Sequence, residues 1–339
     1  MTDVAFAGAG WVTTVHALAA DHAPDVRITK VASRTPEAAR ARADQAGATA
    51  VDYADLPGGA DIVWGATPPA LHRREAERAV AGGALAAVEA PLAATLEDAD
   101  ALVELAGQGQ VAYAENLALS PAVAEAVDAC RRIGTLTHLE VRFAQGRPPG
   151  GPDRTAPAWG GGAAFDLGVH ALAVAVLMAA PARVVAVEAD LGTADDLEVD
   201  DDAALTLHFD TGLRALVRAT WRAAAPVWEA QAASPASAVR LELVPSPSVE
   251  LNGRALRLPP PPGGLLTDQL HHLGYLPQLE ALAADARTGR APAVGPAFGR
   301  LLLEIECAAH TAARTGRAEP VPFTGARDRT PPQLWRAGG

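Results

Sequence analysis

The chain has 339 residues, a formal net charge of −12 at pH 7, 49 % hydrophobic residues and 20 % charged residues. This length suits two domains, and the apolar content is sufficient for a packed core. The acidic balance, with no run rich in Lys or Arg, argues against a protein that binds nucleic acid or an anionic membrane surface through a basic face.

The cysteines and the first residues give a further expectation. Cys130 and Cys307 do not form a Cys-x-x-Cys pair, so we expect neither a disulfide framework nor a metal site. The opening stretch MTDVAFAGAGWV has neither the basic region nor the long apolar region of a secretory signal. We therefore expect a cytoplasmic protein without a membrane span.

The first 118 residues alternate strand and helix patterns. The predicted strands are DVAFAG, VRITKVAS, ADIVWGAT, ALAAVEA and QVAYAEN, and the helices between them are AGWVTTVHALAADH, TPEAARARADQAG, PALHRREAERAVAGG and TLEDADALVELAGQG. In the second helix, Thr35 is the expected N-cap, Pro36 the first residue and Gly47 the end. This alternation predicts an α/β fold that begins with a doubly wound parallel sheet, a Rossmann domain over residues 1–118.

After residue 118 the pattern changes to longer runs with period two. The predicted helix SPAVAEAVDACRRIG precedes the runs THLEVRFAQG, ARVVAVEADLG, AALTLHFDTGLRALVRATWRA and AVRLELVPSPSVELNG, and two helices follow, YLPQLEALAADARTG and AFGRLLLEIECAAHTAARTG. Period-two alternation with the turns DTG and LNG is typical of antiparallel strands. We predict a C-terminal α+β domain over residues 119–339 with a large, mostly antiparallel open sheet.

The stretch AFAGAGWVT carries the first functional motif. Gly8 permits a tight turn after the strand, and Gly10 allows a pyrophosphate to approach the backbone at the helix N-terminus. Thr13 occupies the position of the usual third glycine. A tight turn without a ligand is the alternative, but the strand–helix–strand context favours a dinucleotide site that includes Gly8, Gly10, Trp11 and Val12.

The end of the second strand bears on the choice of dinucleotide. A carboxylate there would bind the ribose 2′-hydroxyl of NAD, whereas an arginine favours the 2′-phosphate of NADP. The sequence has Ser33 and Arg34 and no acid at this point. We predict NADP, with NAD possible if Arg34 stacks on the adenine instead.

Three further stretches, ATPPALHRREAERAVAGG, VEAPLAATLEDADALVELA and WGGGAAFDLGVHAL, follow in a characteristic order and spacing. With them the chain resembles the glucose–fructose oxidoreductase and myo-inositol dehydrogenase (Gfo/Idh/MocA) family over almost its whole length. The resemblance implies hydride exchange between nicotinamide and a sugar, cyclitol or related small polar substrate. It also implies a homodimer or homotetramer assembled through the C-terminal sheet. The residues implied to line the dinucleotide cleft are Thr67, Pro68, His72, Glu89 and Asn116.

The motif DLGVH supplies the candidate catalytic pair, Asp166 and His170. A helix can begin after the glycines at 160–162, and residues four apart share a helix face. A carboxylate beside a histidine favours the imidazolium and fixes its orientation, which suits a general acid/base for the hydroxyl proton. A purely structural Asp–His pair is the alternative.

One position departs from the family pattern. The family signature at 89–91 is Glu-Lys-Pro, and here it is Glu-Ala-Pro, so Ala90 brings neither charge nor donor. Losing a preorganised cation beside a developing oxyanion costs about 3 kcal/mol, roughly a hundredfold in rate. The replacement donors considered are Arg154, His271, His272 and Tyr275. We therefore expect a lysine-independent mechanism with His170 as the acid/base.

Two other interpretations stay open. The loss of the lysine also fits a redox-silent protein, namely a lyase, a cyclase, an isomerase or a ligand sensor, that retains the dinucleotide site. A protein-interaction module built on the same fold is the third interpretation, and it predicts that no dinucleotide binds.

Overall fold

A computed structural model of the chain describes residues 1–148, 154–194 and 196–337. The chain divides into two compact units. The first comprises Met1–Ala93, Glu97–Asn116 and Pro261–Arg300, and the second comprises Ala94–Leu96, Leu117–Pro260 and Leu301–Gly339. The break after Asn116 lies close to the boundary expected at residue 118. Residues 261–300, which the sequence pattern assigns to the second domain, instead pack with the first unit.

The first unit is built on a six-stranded parallel sheet. Its strands are β1 (Thr2–Ala7), β2 (Val26–Ala32), β3 (Thr49–Ala50), β4 (Ile62–Gly65), β5 (Leu85–Glu89) and β6 (Val111–Ala114). The order β3-β2-β1-β4-β5-β6 is that of the predicted doubly wound sheet, and it reverses direction between β1 and β4.

Helices cover this sheet. They are α1 (Trp11–Ala20), α2 (Pro36–Ala46), α3 (His72–Ala81), α4 (Leu96–Leu105), α7 (Asp268–His272), α8 (Tyr275–Thr288) and the first residues of α9 (Pro296–Thr315). The expected bounds of α2 are confirmed, with Thr35 as N-cap and Gly47 in the left-handed conformation that ends the helix.

Helix α8 is the reason that residues 261–300 belong to the first unit. Leu276, Leu279 and Leu282 are at most 4 % exposed and lie in the same core as Val4 and Ile62 of the parallel sheet. These leucines fall on one face of α8, and that face buries apolar surface that strands β1 and β4 would otherwise expose. A period of 3.6 residues reveals an apolar face but not which sheet it covers.

The second unit contains the expected large sheet, with nine strands in the order β14-β13-β12-β11-β7-β10-β9-β8-β15. Only the β7–β10 pair is parallel. The strands are β7 (His138–Gly146), β8 (Val184–Gly192), β9 (Asp202–Phe209), β10 (Arg214–Thr220), β11 (Arg222–Ala233), β12 (Ala238–Val244), β13 (Ser248–Leu251), β14 (Arg254–Ala255) and β15 (Glu319–Pro320). The predicted hairpin turns are confirmed, since Gly212, Asn252 and Gly253 have positive φ.

One face of this sheet is apolar and the other is charged. Helices α5 (Pro121–Ile133) and α6 (Val169–Ala179) pack on the sheet, and alternate residues of β7, β9 and β10 are buried. Half-exposed charged side chains fill the alternate positions, for example Arg142, which lies 2.9 Å from Glu229. This alternation is the physical basis of the period-two sequence pattern.

The segment that leads into α6 contains the candidate residue Asp166. The residues just before α6, Ala164–Gly168, form a π-helical turn. The segment Pro157–Ala179, which includes this turn, is apolar enough and long enough to cross a membrane by composition. However, 78 % of its most apolar window is buried inside the fold, as in a core helix.

The sequence prediction missed α10 (Pro331–Arg336), which begins at a capping box between Thr330 and Gln333.

Candidate functional site

The loop between β1 and α1 has the geometry expected for a dinucleotide-binding turn. Gly8 has φ +123°, and a Cβ atom at this position would overlap the carbonyl oxygen of Ala66 after the neighbouring strand β4. Gly10 has φ −75°, and a Cβ atom there would meet nothing within 4 Å. The space beside Gly10 therefore lies open at the N-terminus of α1, where the helix presents N–H groups and positive partial charge.

The residues that follow complete this turn. The hydroxyl of Thr13, at the position of the third glycine, is buried and donates to the carbonyl oxygen of Gly8 (3.0 Å). Trp11 is 68 % exposed at the open helix terminus. Gly10 provides no side chain to cap α1, and the first turn of the helix has no acidic residue. These residues therefore fit the pyrophosphate of a dinucleotide, since the helix N–H groups are accessible and no carboxylate competes with an anion.

The end of β2 places Ser33 and Arg34 in the loop before α2. Arg34 is exposed, and the Ser33 hydroxyl accepts a hydrogen bond from the backbone N–H of Thr35 (3.3 Å). Lys30, the one lysine of the chain, donates to the carbonyl oxygens of Asp55 and Gly58. Lys30 therefore stabilises the loop that contains Asp55 and Gly58.

His72 is buried between two loops of the first unit. It is 1 % exposed, with Nε2 2.7 Å from the carbonyl oxygen of Thr67 and Nδ1 3.2 Å from that of Leu92. Burial lowers the pKa of His72, although these carbonyl groups favour its protonation. The imidazole connects the loop after β4, which contains Thr67 and Pro68, to the loop after β5. Its predicted contact with a dinucleotide stays a prediction.

Glu89, at the end of β5, is buried and accepts two side-chain hydrogen bonds. Its Oε1 accepts hydrogen bonds from His16 Nε2 (2.6 Å) and from Trp64 Nε1 (2.7 Å), and the His16 and Trp64 rings lie 4.1 Å apart. Burial by itself raises the pKa of Glu89, but the His16 charge and the two hydrogen bonds outweigh burial and lower the pKa. The carboxylate stays ionised directly beside Ala90.

Replacing His16 with phenylalanine should destabilise the protein by about 3 kcal/mol at neutral pH, because a buried carboxylate loses the hydrogen bond from His16. The stabilisation from a carboxylate with a lowered pKa is present above its ordinary value and is lost as pH falls through the lowered value. Chemical denaturation at pH 7 and in acid should therefore show a smaller effect of His16→Phe in acid. A double variant that also carries Glu89→Gln should lose less stability than His16→Phe alone at pH 7. An equal loss at both pH values would contradict the pairing.

Two more candidate residues lie near the carboxyl ends of these strands. The side-chain amide of Asn116 donates to the carbonyl oxygen of Leu273 (2.7 Å), which connects the end of β6 to the turn before α8. Tyr275 begins α8, and its ring lies 5.6 Å from that of His16. Burial, together with the negative charges of Glu89 and Glu115, raises the pKa of Tyr275, so its phenol stays protonated and can act as a donor.

The adjacent histidines on α7 have no metal-site geometry. His272 Nε2 lies 3.6 Å from Asp268 Oδ1, and burial lowers the pKa of both His271 and His272. Among the described residues, no group of three His, Cys, Asp or Glu side chains could hold a metal ion. A donor role for either histidine stays a prediction.

In the second unit, the π-helical turn Ala164–Gly168 holds Asp166. Arg154 donates to Asp166 Oδ1 (2.6 Å), and the two side chains are 37 % and 21 % exposed. Burial raises the pKa of Asp166, and the charges of Arg154 and His170 partly offset that shift. The sequence pattern predicts one helix through Asp166 and His170, whereas the backbone changes from a π turn to α6 between them.

His170 lies on the first turn of α6 and is half-buried. Its ring is nearly parallel to that of Trp228 on β11, with centroids 6.4 Å apart and planes at 16°. Trp228 in turn stacks on Phe143 of β7 at 4.8 Å. The aromatic stack on the sheet therefore supports the ring of His170, and the charge of His170 partly offsets the raised pKa of the nearby Asp166.

Sequence reasoning missed three residues that this geometry brings forward. His16 and Trp64 fix Glu89, and Trp228 supports His170. His16 follows the glycine motif within the first two turns of α1, and this spacing is the signal that could have pointed to it. The positions of Trp64 and Trp228 depend on register between strands that are far apart in sequence, which the sequence pattern does not specify.

The parallel sheet and the open glycine turn define a dinucleotide-binding protein of the Rossmann type. Residues 2–117 match the oxidoreductase family GFO/IDH/MocA with its NAD-binding Rossmann fold, and residues 122–242 match the GFO/IDH/MocA C-terminal domain. The chain therefore belongs to the GFO/IDH/MocA family.

Several known proteins are similar to this chain. The dTDP-3,4-didehydro-2,6-dideoxy-alpha-D-glucose 3-reductase of Streptomyces violaceoruber is 35 % identical over 165 residues, which is 46 % of this chain and 47 % of the reductase. The structure of an oxidoreductase domain protein from Kribbella flavida has a TM-score of 0.83, 21 % identity and coverage of 95 % and 100 % of the two chains. Levoglucosan dehydrogenase in complex with NADH and L-sorbose has a TM-score of 0.84, 20 % identity and coverage of 95 % and 99 %. These two structures establish the fold, and the match to the reductase spans about half of its length.

Proposed function

We propose that this protein is an NAD(P)-dependent oxidoreductase that acts on a carbinol or carbonyl carbon of a sugar-like or other small polar substrate. The observation that carries the proposal is the open, glycine-lined N-terminus of α1 where the sheet order reverses. The similarity to a nucleotide-sugar reductase supports a carbohydrate substrate.

The bound dinucleotide would supply or accept the hydride. Oxidation of a carbinol also releases one proton, and His170 takes it from the hydroxyl oxygen and returns it in the reverse direction. Asp166 stabilises the imidazolium, and Arg154 favours the ionised form of Asp166. This division of roles needs no lysine at position 90.

A direct test is to titrate the purified chain with NADPH and NADH and then follow the reduced-nicotinamide absorbance. The substrate panel would contain sugars, cyclitols, keto acids and a nucleotide-linked keto sugar. Binding followed by a stoichiometric change in absorbance supports the proposal. Binding without any redox change favours the redox-silent alternative, a lyase, cyclase, isomerase or ligand sensor, which Ala90 motivates because it has neither charge nor donor.

Within this proposal, NADP is the preferred dinucleotide because Arg34 is exposed beside the end of β2. Replacing Arg34 with alanine should weaken NADPH binding about tenfold or more and leave NADH binding almost unchanged, because only NADPH has the 2′-phosphate. Fluorescence titration of the two nucleotides measures this ratio. Arg27→Ala removes an exposed arginine from β2 as a matched control, and equal weakening of both nucleotides by Arg34→Ala would contradict the preference.

The assembly and location are also proposals. We propose a cytoplasmic homodimer or homotetramer assembled through the nine-stranded sheet, with no nucleic-acid or membrane partner. Two buried free cysteines suit a reducing compartment. Light scattering coupled to size-exclusion chromatography should give a mass of two or four chains, and a single-chain mass would contradict the assembly.

A further inference from the structure

The second unit buries three ionisable side chains that the proposed reaction does not use. Asp200 and His310 are 0 % exposed and Glu306 is 1 % exposed. His310 Nε2 lies 3.6 Å from Asp200 Oδ1, and His310 Nδ1 lies 3.4 Å from Glu306 Oε2. Burying charged groups is costly unless they are paired, so the cluster requires a physical explanation.

Asp200 contacts the start of the π turn. Its Oδ2 accepts a hydrogen bond from the backbone N–H of Ala164 (2.7 Å), and its carbonyl oxygen accepts one from Ala163 (2.9 Å). A Cβ atom on Gly162, where φ is +95°, would overlap the Asp200 carboxylate. The glycine and the aspartate together therefore specify where the turn begins.

Glu306 faces the other end of the same turn. A Cβ atom on Gly168 would lie 3.5 Å from Glu306 Oε1. His310 is one turn further along α9, and its Nδ1 lies 2.8 Å from the carbonyl oxygen of Glu306. The two carboxyl groups thus flank the five residues of the π turn, and the imidazole lies between the carboxyl groups.

The charges in the cluster are mutually dependent. Burial and the charge of Asp200 raise the pKa of Glu306 to about 7, against a lowering by His310. Burial lowers the pKa of His310, but Asp200 and Glu306 outweigh it and leave that pKa raised. Near neutral pH, Glu306 therefore passes between its neutral and its ionised form, while the imidazolium of His310 is favoured. Higher pH adds a buried negative charge on Glu306.

Other charged groups surround this cluster. The thiol of Cys307, the residue after Glu306 along α9, stays neutral because burial and the negative charges of Glu306 and Glu304 raise its pKa. Charged groups on the adjoining elements include Glu304 and Arg327, the Asp201–Arg222 pair, Asp166 with Arg154 and His170, and Arg214 and Arg218 on β10. Of all these groups, Asp200 and His310 act most strongly on Glu306.

We infer that Asp200, Glu306 and His310 form a buried positioning network that fixes the π turn carrying Asp166, and that deprotonation of Glu306 loosens this turn. The catalytic meaning of the network rests on the proposed role of His170, but the structural coupling does not. The network contacts the backbone of the turn and not the substrate, so its members are positioning residues.

Hydrogen exchange across the π turn tests the inference without any substrate. Asp200→Ala should accelerate exchange of the Ala164 amide on the order of tenfold, because a buried hydrogen bond to a carboxylate is lost. Asp200→Asn retains an acceptor, so its effect should be smaller, and it remains informative if the alanine variant does not fold. An unchanged Ala164 rate in both variants would overturn the proposed contact.

The pH dependence separates positioning from simple packing. In the wild-type protein, protection of the Ala164–Gly168 amides, corrected for intrinsic exchange, should decrease as pH rises through about 7. Glu306→Gln cannot ionise and should abolish this step. Glu304→Gln, a buried change on the same helix, should retain it. A step that survives in Glu306→Gln, or that Glu304→Gln also abolishes, would overturn the inference.

A measurement of kcat as a function of pH tests whether the network also affects catalysis. With a substrate in hand, kcat of the wild type should decline across the same pH range, and Glu306→Gln should remove that decline. A protein that never changes the redox state of nicotinamide would reject the proposed function, whereas the exchange results would still decide the inference. Normal turnover together with an exchange step that survives in Glu306→Gln would reject the inference alone.

Discussion

Turnover should fall by about 10²- to 10⁴-fold when His170 is replaced with asparagine, since a positioned general acid/base contributes a factor of this size. Asparagine retains a polar side chain beside Trp228 but cannot accept and return a proton near neutral pH. The loss should appear in kcat, while the affinity for the dinucleotide stays unchanged, because the glycine turn lies in the first unit. Steady-state kinetics and a nucleotide titration measure the two quantities.

His208→Asn is the matched control for this prediction. His208 is a half-buried histidine on β9 that lies 3.0 Å from Glu188 on the charged face of the sheet. The His208→Asn variant should keep kcat within about twofold of the wild type, because the surface pair of His208 and Glu188 contributes little energy. Equal kcat values for His170→Asn and the wild type would remove His170 from the mechanism.

The second large effect concerns Gly10. Gly10→Asp should weaken dinucleotide binding by about a hundredfold or more, because it places a carboxylate where the helix terminus would bind a pyrophosphate. The fold should tolerate the change, since a Cβ atom on Gly10 meets nothing within 4 Å and φ is −75°. Isothermal titration with NADPH and a thermal melt measure the two effects separately.

Two glycine variants serve as comparisons. Gly295→Asp adds the same charge at another position where a Cβ atom has free space, and it should leave binding unchanged. Gly8→Ala should lower both stability and binding, because its Cβ atom would overlap Ala66 and φ is +123°. NADPH binding by Gly10→Asp with wild-type affinity would place the nucleotide elsewhere.

Much of the fold could be predicted because its signals are local. The buried parallel strands are short apolar runs, and Thr35, Pro36 and Gly47 mark the ends of α2 by backbone chemistry alone. The glycine turn after β1 was predicted for the same reason. Period-two alternation likewise predicted the second sheet, since the charged and apolar faces alternate along each strand.

The features that could not be predicted depend on contacts between distant residues. The pairing of His16 with Glu89 joins positions 73 residues apart, and no local pattern encodes it. The π turn at Ala164–Gly168 begins at a hydrogen bond between the Ala164 N–H and the Asp200 carboxylate, and these two residues are 36 positions apart in the sequence. The sequence pattern therefore correctly predicts helical structure around Asp166 and His170. It does not predict the π turn, which contacts the distant residue Asp200.

The assignment of Pro261–Arg300 to the first unit has a consequence for synthesis on the ribosome. The parallel sheet is complete once residue 116 has been made, but Leu276, Leu279 and Leu282 complete its core about 160 residues later. At the usual pace of translation, the nascent sheet keeps apolar surface exposed for roughly ten to thirty seconds. We therefore expect a fragment that ends at residue 118 to expose the apolar surface that these leucines cover in the whole chain.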